Sequence, residues 1–590
     1  MHRISNPKGP AHQNGSNRRG MIGGLARLKA GLAFGVLACE FFCSVRAADN
    51  PATASSPVVL PPLLVEESTS SAPWLYVNVG GTEFLSRCTA GTTEEFVSAW
   101  LTRMRLMRVL VPEEFVARLD VPAVCVLYTQ DLDQKLSVEI EHELQAAAAP
   151  KGKTSDASRI NVAPNMRLSD RDMQATIVYL DEATFQGTQL GISANQVRFI
   201  LEGRVPELPA WLIEGVERLW RGADFGLAPI TLHPLVWQNQ TESNALARDP
   251  AHPRSLLPAS ELFAVDLSRL LQNQQPRRLQ IRAAQEELFV RWAILSGDAT
   301  RSALWKFVAC AAESPVTEEM FEACFGFDFS ELRDRLSDYL PKAVEETKRI
   351  DPGELPDLPS FTVERATPNQ IARVRGEWER LAIWHVQRRF PQAREPYIAQ
   401  ARRTLRRAYN AGDRDPRLLA TMGLCEIDAG NPAGAREFLE PAIAGGVVRP
   451  NAYYELARLR FAELQRREPE RQRLPLSELE PVIRPLQRAL KQAPSLPEIV
   501  VLLAEAWARS ESAPSAAEFA ELQLGARFFG RRPTVAYPIA QVLARHGRKA
   551  EAAAVLDTCA DYATGDETSA KITQLRAELT ATSVQPSAAP

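Results

Sequence analysis

Apolar and polar positions alternate early in this chain and take helical spacing later. Trp74-Leu75-Tyr76-Val77-Asn78-Val79 alternates as a strand does. Glu94 to Leu110 carries Phe96, Trp100, Met104 and Met107 on one helical face. Val121 to Tyr128 and Ala175 to Leu180 predict two further strands, and after Asn195 helical patterns dominate. Residues 71–345 therefore predict an α+β domain, a small sheet followed by helices. Pro352, Pro356, Pro359 and Pro368 crowd one stretch and predict a linker over 346–375 between two bodies. Beyond it, over 376–570, no strand signal occurs and helices come in pairs.

Leu419, Met422, Gly423, Ala435, Leu439 and Ala442 set a small residue in one helix and another twelve positions later in the next. Ala540, Ala552 and Leu556 repeat that offset. Leu503, Ala504, Trp507, Ala526 and Pro533 form a third version, and Tyr454 to Pro494 a stretched one. Small residues let two antiparallel helices touch, and each pair buries its face on the next. These stretches resemble tetratricopeptide repeats. The resemblance implies an all-α solenoid that binds a protein or peptide partner; an irregular helical bundle is the alternative. Residues 371–412 hold ten Arg and three Glu, which we read as the solvated outer face of those helices rather than an anion-binding surface.

The 590 residues carry 69 basic and 72 acidic side chains, a net charge of −3, with 45% apolar and 24% charged residues. Those proportions exclude a largely disordered chain, and the charge balance offers no ground for nucleic-acid binding. The N-terminus predicts export. Arg18, Arg19, Arg27 and Lys29 precede an apolar stretch from Ala30 to Cys43, broken by Glu40, and Val45-Arg46-Ala47 suits cleavage after Ala47. Residues 1–47 are thus expected as a signal peptide, 48–70 as a disordered linker and 571–590 as a disordered tail, with the protein in the periplasm or cell envelope, or secreted. Val36-Leu37-Ala38-Cys39 is a loose lipobox, so a lipid anchor at Cys39 stays open; no transmembrane helix is expected in the mature chain. Of the eight cysteines, Cys310 and Cys324 lie on consecutive predicted helices, as a disulfide or, preferably, as two buried thiols.

Leu208-Pro209-Ala210-Trp211-Leu212-Ile213-Glu214-Gly215-Val216 resembles the LPxWLxEGLA segment of gluzincin-type zinc metallopeptidases. The strand–helix–strand over 74–127, the strand within 170–183 and the closing helices with their break at Phe325-Gly326 extend that resemblance over 71–343. In that family Glu214 would be the third zinc ligand, preceded by H-E-x-x-H on a helix. Here those positions read Asn195-Gln196-Val197-Arg198-Phe199. Asn195 is a poor ligand, Gln196 accepts no proton, and Phe199 has no lone pair to offer, whereas catalytic zinc needs three protein ligands and an open position.

The histidines agree with this. After the signal only His142, His233, His252, His385 and His546 remain, and none stands four residues from another. His142-Glu143 opens like the motif but ends in Ala146. No catalytic residue, metal or cofactor is therefore expected. The function implied is an exported, non-catalytic peptidase-like protein whose repeats bind a protein or act as a scaffold. The alternative is an active zinc-dependent metallopeptidase with an atypical site, for instance Glu214 with His233 and His252. Three structural expectations follow: Phe199 fills the vacated space, Gly215 admits the helix carrying 195–203, and Glu214 takes Arg198 or Arg204 as its partner.

Overall fold

The computed structural model describes residues 73–129, 165–190, 193–225, 230–237, 256–264, 276–351, 353, 357–389, 391, 394–467, 469–560, 562–563 and 566–581. The expected signal peptide with Cys39, the linker over 48–70, His142 and His252 lie outside the described residues.

β1 (Leu75–Val79) and β2 (Thr82–Ser86) form a hairpin. Its two turn residues, Gly80 and Gly81, take φ of 58° and 71°, a backbone that side chains resist. β3 (Ala123–Thr129) runs parallel to β2, and β4 (Asn165–Ser169) is antiparallel to β5 (Gln174–Leu180), which runs parallel to β3. β6 (Ala223–Phe225), β7 (Ile230–Leu232) and β8 (Lys348–Ile350) make a separate antiparallel sheet. β9 (Glu364–Arg365) pairs with β1, giving the larger sheet the order β4-β5-β3-β2-β1-β9.

The period of two along a strand decides what each face meets. Val124, Val126 and Tyr128 of β3, with Ala175, Ile177 and Tyr179 of β5, join the core of the later helices. Cys125, Leu127, Val178 and Leu180 point the other way, onto Phe96, Val97, Trp100 and Leu101 of the helix Ala90–Leu110. The sheet is buried on both faces.

The stretch 346–375, expected as a linker, contributes β8 to one sheet, β9 to the other and the start of the helix Pro368–Arg389. Pro368 opens that helix where a missing N–H costs nothing. Clustered prolines here mark a change of chain pattern, not a gap in space: one apolar core runs from the sheet into the helical region.

That region contains five helix pairs among the described residues: Pro368–Arg389 with Arg394–Asn410, Pro416–Asp428 with Pro432–Ala444, Pro450–Arg467 with Leu476–Ala489, Pro497–Ala508 with Ala516–Phe529, and Pro533–Arg545 with Lys549–Ala560. The first helices of successive pairs pack on one another, so they form a row. A Cβ on Gly423 would fall 2.6 Å from the Leu439 side chain, and one on Gly525 would overlap Val500. The small residues do permit the expected close approach. The tail, expected to be disordered from 571, is helical over Asp566–Ala581. Ile572 and Leu579 cover the apolar face that the last pair would otherwise expose.

The sheet sits on the first-helix row through a buried lattice of acids and guanidiniums. The turn from β4 to β5 carries Asp170, Arg171 and Asp172. Arg380 donates to Asp170, to Glu377 at 2.9 Å and to Asp428 at 2.9 Å. Arg449 donates to Glu377 at 2.8 Å and to Asp170 at 3.1 Å. Its Nε lies 2.9 Å from Asp172 Oδ1, an ion pair without hydrogen-bond alignment. The backbone N–H of Asn451 donates to Asp172 at 2.7 Å. Beside this lattice, Glu83 takes Arg373 and Arg417. The arginines of 371–412 are thus not all solvated: Arg373, Arg375 and Arg380 are buried and ion-paired.

Four carboxylates here share two guanidiniums, so the acids divide into two kinds. Burial would raise Asp170 and Glu377, but Arg380 and Arg449 outweigh it and hold both below the usual carboxylate range. Burial wins at Asp172, pushed up to about 7 with Asp170 beside it, and at Asp428, pushed up to about 6. The lowered pair contributes stability that is lost as pH falls through their folded values. The raised pair contributes stability present below the ordinary carboxylate value of about 4 and lost as pH climbs through about 6 and about 7.

Two outcomes are expected. The melting temperature falls as pH rises from about 4 to about 7, and Asp172→Asn, which keeps an acceptor for Asn451, flattens part of that fall; an unchanged slope would show that Asp172 ionises freely. Gly423→Val wedges its helix pair apart and lowers stability by about 1–3 kcal/mol, read as a lower urea midpoint.

Candidate functional site

Two helices carry the residues singled out in the sequence. Ser193 starts Ala194–Glu202 by accepting the Gln196 N–H. The second helix, Ala210–Arg221, is anchored at Trp211, stacked on Phe307 with ring centroids 5.6 Å apart and edge-on to Phe289. Leu212, Gly215, Val216 and Leu219 form its buried stripe, as the spacing predicts. Gly215, however, does not admit the 194–202 helix. A Cβ there would fall 2.7 Å from the Glu286 carbonyl, so the close neighbour is the helix Pro276–Leu295. At about 100° per residue, Gly215 lies on the side that carries Leu212 and Leu219, while Glu214, Glu217, Arg218 and Arg221 fall on a separate polar stripe.

Arg198 meets that polar stripe. Its Nη2 donates to Glu214 Oε2 at 2.6 Å, its Nη1 to Glu202 at 3.3 Å and its Nε to Glu217, whose side chain is 2% exposed. Arg218 donates to the other Glu214 oxygen at 2.8 Å, and Arg221 to Glu217. Burial would raise the Glu214 pKa, but the two guanidiniums beside it hold it below the ordinary value. Arg204 instead donates to the carbonyls of Pro206 (2.6 Å) and Glu114 and lies over the Phe115 ring. On the far side of Glu214, burial pushes the carboxyls of Glu286 and Glu287 up to about 7.

The remaining predicted positions are dispersed. Asn195 is exposed. Gln196 is buried and accepts from Arg167 at 2.8 Å. Phe199 is half-buried and outside the apolar core, so it is not the expected filler; the Arg198 guanidinium is what reaches Glu214. His233 is exposed, 2.6 Å from Asp224. Among the described residues no group of three His, Cys, Asp or Glu is placed to hold a metal. Cys310 is exposed and Cys324 half-buried, both free, which corrects the expectation of buried thiols. Phe307 and Phe321 take the inner positions of those two helices.

A second candidate lies on the first-helix row. A cleft of about 410 Å³ is lined from three consecutive first helices by Tyr454, Phe461, Val501, Leu502, Glu505 and Val535, among others. It adjoins the β4–β5 turn: Arg171 stands 5.0 Å over the Tyr454 ring and donates to Glu455 at 3.1 Å and to Glu498 at 3.4 Å, and Tyr454 and Glu498 both line the cleft. Earlier in the row the helix Pro368–Arg389 packs on β2, β3, β4 and β5. Another cleft, of about 440 Å³, is bordered by Glu313 and Arg527, which pair across 2.5 Å. Sequence reasoning missed β2, β4 and the Asp170-Arg171-Asp172 turn. The Gly80-Gly81 pair is a hairpin signal that could have found the first; the charged triplet carries no local signal of its own.

No family model matches the chain, and no curated protein matches it. Among solved structures, a thermophilic tetratricopeptide-repeat protein from Thermus thermophilus aligns at 18% identity over 35% of this chain and 100% of that one, with a TM-score of 0.22. That likeness carries no argument; the repeat architecture rests on the helix pairs themselves. No helix among the described residues is long and apolar enough to cross a membrane.

Arg198→Ala strips Glu217 and Glu214 of a shared partner and is expected to cost about 1–3 kcal/mol, between the values for exposed and buried pairs. Arg204→Ala removes two carbonyl contacts and the guanidinium over the Phe115 ring, and should cost less, about 1 kcal/mol. Urea unfolding of both variants measures the difference, and equal losses would remove the special role of Arg198.

Proposed function

We propose that this chain is an exported, non-catalytic protein with a peptidase-like front part, whose helical repeats bind a segment of another protein. One observation carries the non-catalytic half of the reading: both oxygens of Glu214 accept from guanidiniums, Oε2 from Arg198 and Oε1 from Arg218. A divalent cation there would have to displace two held cations and would gain no imidazole. Asn195, Gln196 and Phe199 supply neither a nitrogen ligand nor a base. The binding half is supported by the open cleft, which spans three successive repeats, the arrangement through which stacked helix pairs recognise extended segments. Fold alone assigns no activity, so the reading rests on these side chains. We place the protein in the periplasm or cell envelope, with zinc or another cofactor playing no part.

Two measurements test this. Metal analysis of the purified full chain should find far less than one equivalent of zinc, and no chelator-sensitive peptide hydrolysis; stoichiometric zinc with such hydrolysis would establish the metallopeptidase instead. A photocrosslinking residue at Gln465, which borders the cleft, should yield a discrete protein adduct in the exporting cell that Val501→Arg abolishes. An adduct indifferent to Val501→Arg would place binding elsewhere.

A further inference from the structure

Resting on the repeat-binding reading, we propose that the open cleft takes an extended peptide with a basic side chain next to an apolar one, the basic group seated on Glu505. The chain itself supplies the template. Arg171 enters the row at its open end, lies over the Tyr454 ring and is held by Glu455 and Glu498. One groove thus already shows how it receives a guanidinium: an aromatic face and two carboxylates.

Glu505 repeats half of that seat with nothing in it. It lies seven residues beyond Glu498 on the helix Pro497–Ala508, hence on nearly the same face and about 10 Å further along. Both carboxylates line the cleft. Glu498 is paired with Arg171; Glu505 has no ion pair within 4.0 Å among the described residues, and Arg509 acts on it only at a distance. The other charges of the cleft are satisfied from within: Arg458 by Glu455 at 2.6 Å, and Arg532 by Glu207 at 2.5 Å. The unmet charge is therefore negative. Burial also pushes the Glu505 carboxyl up, a cost that an incoming cation would relieve. Between the two acids the floor is apolar, from Phe461, Val501 and Leu502. An extended peptide advances about 3.3 Å per residue, so about three residues span the interval from the Arg171 seat to Glu505. The partner is a protein segment of that chemistry, bound beside the chain's own turn.

The test uses the full chain and three short fluorescein-labelled peptides: one alternating Arg and Leu, and its counterparts with Gln or Glu in place of Arg. The Arg peptide should bind at least about tenfold more tightly than the Gln peptide, with the Glu peptide weakest. Glu505→Gln should weaken the Arg peptide about five- to tenfold and leave the Gln peptide unmoved. Higher salt should act on the Arg peptide alone. Val501→Arg, which blocks the floor, should abolish binding of all three. Unchanged affinity of the Arg peptide for the Glu505→Gln variant overturns the inference, as does equal binding of all three peptides. In that last case, sensitivity to Val501→Arg preserves the broader repeat-binding reading while the charge assignment falls. Absence of binding by any peptide also overturns the inference, and the crosslinking experiment then decides the broader reading by itself.

Discussion

The arrangement of this molecule depends on one buried contact, the β4–β5 turn lodged among Arg380, Arg449 and Asn451. Charged groups taken from water lose hydration that their mutual attraction barely restores, so such a lattice adds little net stability over an apolar replacement of equal volume. What it adds is register. Asp170 accepts from Arg380 and Arg449, and Asp172 accepts from the Asn451 backbone. A slip of one residue along β4 and β5 would turn every side chain to the opposite face and leave several buried charges without partners. The apolar core under the sheet supplies the adhesion; the lattice sets where the sheet adheres.

Because the turn occupies the earlier part of the first-helix row, the row divides into a part satisfied by its own chain and a part that is open. The division follows charge. Early in the row Arg373, Arg380 and Arg449 face inward, and acids from the sheet answer them. Further on the row presents Glu455 and Glu498 to the sheet, which answers with one guanidinium, Arg171, while Glu505 goes unanswered. The front helices follow the same rule at Glu214 and Glu217, where Arg198 is the bridging cation.

How much of this could be read from the sequence depends on distance along the chain. The strands β3 and β5, the helix over 90–110 and the buried stripe of Trp211, Leu212, Val216 and Leu219 were all legible, because each announces itself by local period. Gly423 and Ala435 revealed a close pair of helices for the same reason. The period, however, says which face is apolar and not what that face meets. Gly215 marks a point of close approach in the sequence, but its neighbour, the helix at 276–295, lies outside any local window. The burial of Arg380 is not legible in the sequence, because a guanidinium in water and one neutralised by Asp170, 210 positions away, look the same in a one-dimensional pattern. The Arg198 contact was legible only as a need: a half-buried carboxylate without a metal requires a cation, and Arg204 met the same description.

The same reasoning applies to the acids of the front helices. Carboxylates gathered in a low dielectric must take up protons or find cations. This chain does both. Glu214 finds Arg198 and Arg218 and stays below the ordinary carboxylate range, while Glu286 and Glu287, buried behind it with less compensation, are pushed up to about 7. The sheet lattice solves an identical excess in an identical way, with Asp170 ionised on its arginines and Asp172 and Asp428 raised. At Glu505 burial raises the carboxyl, Arg509 acts against that only at a distance, and among the described residues no cation pairs with it within 4.0 Å. That incompleteness is what separates a surface available to a second molecule from one the chain has already used.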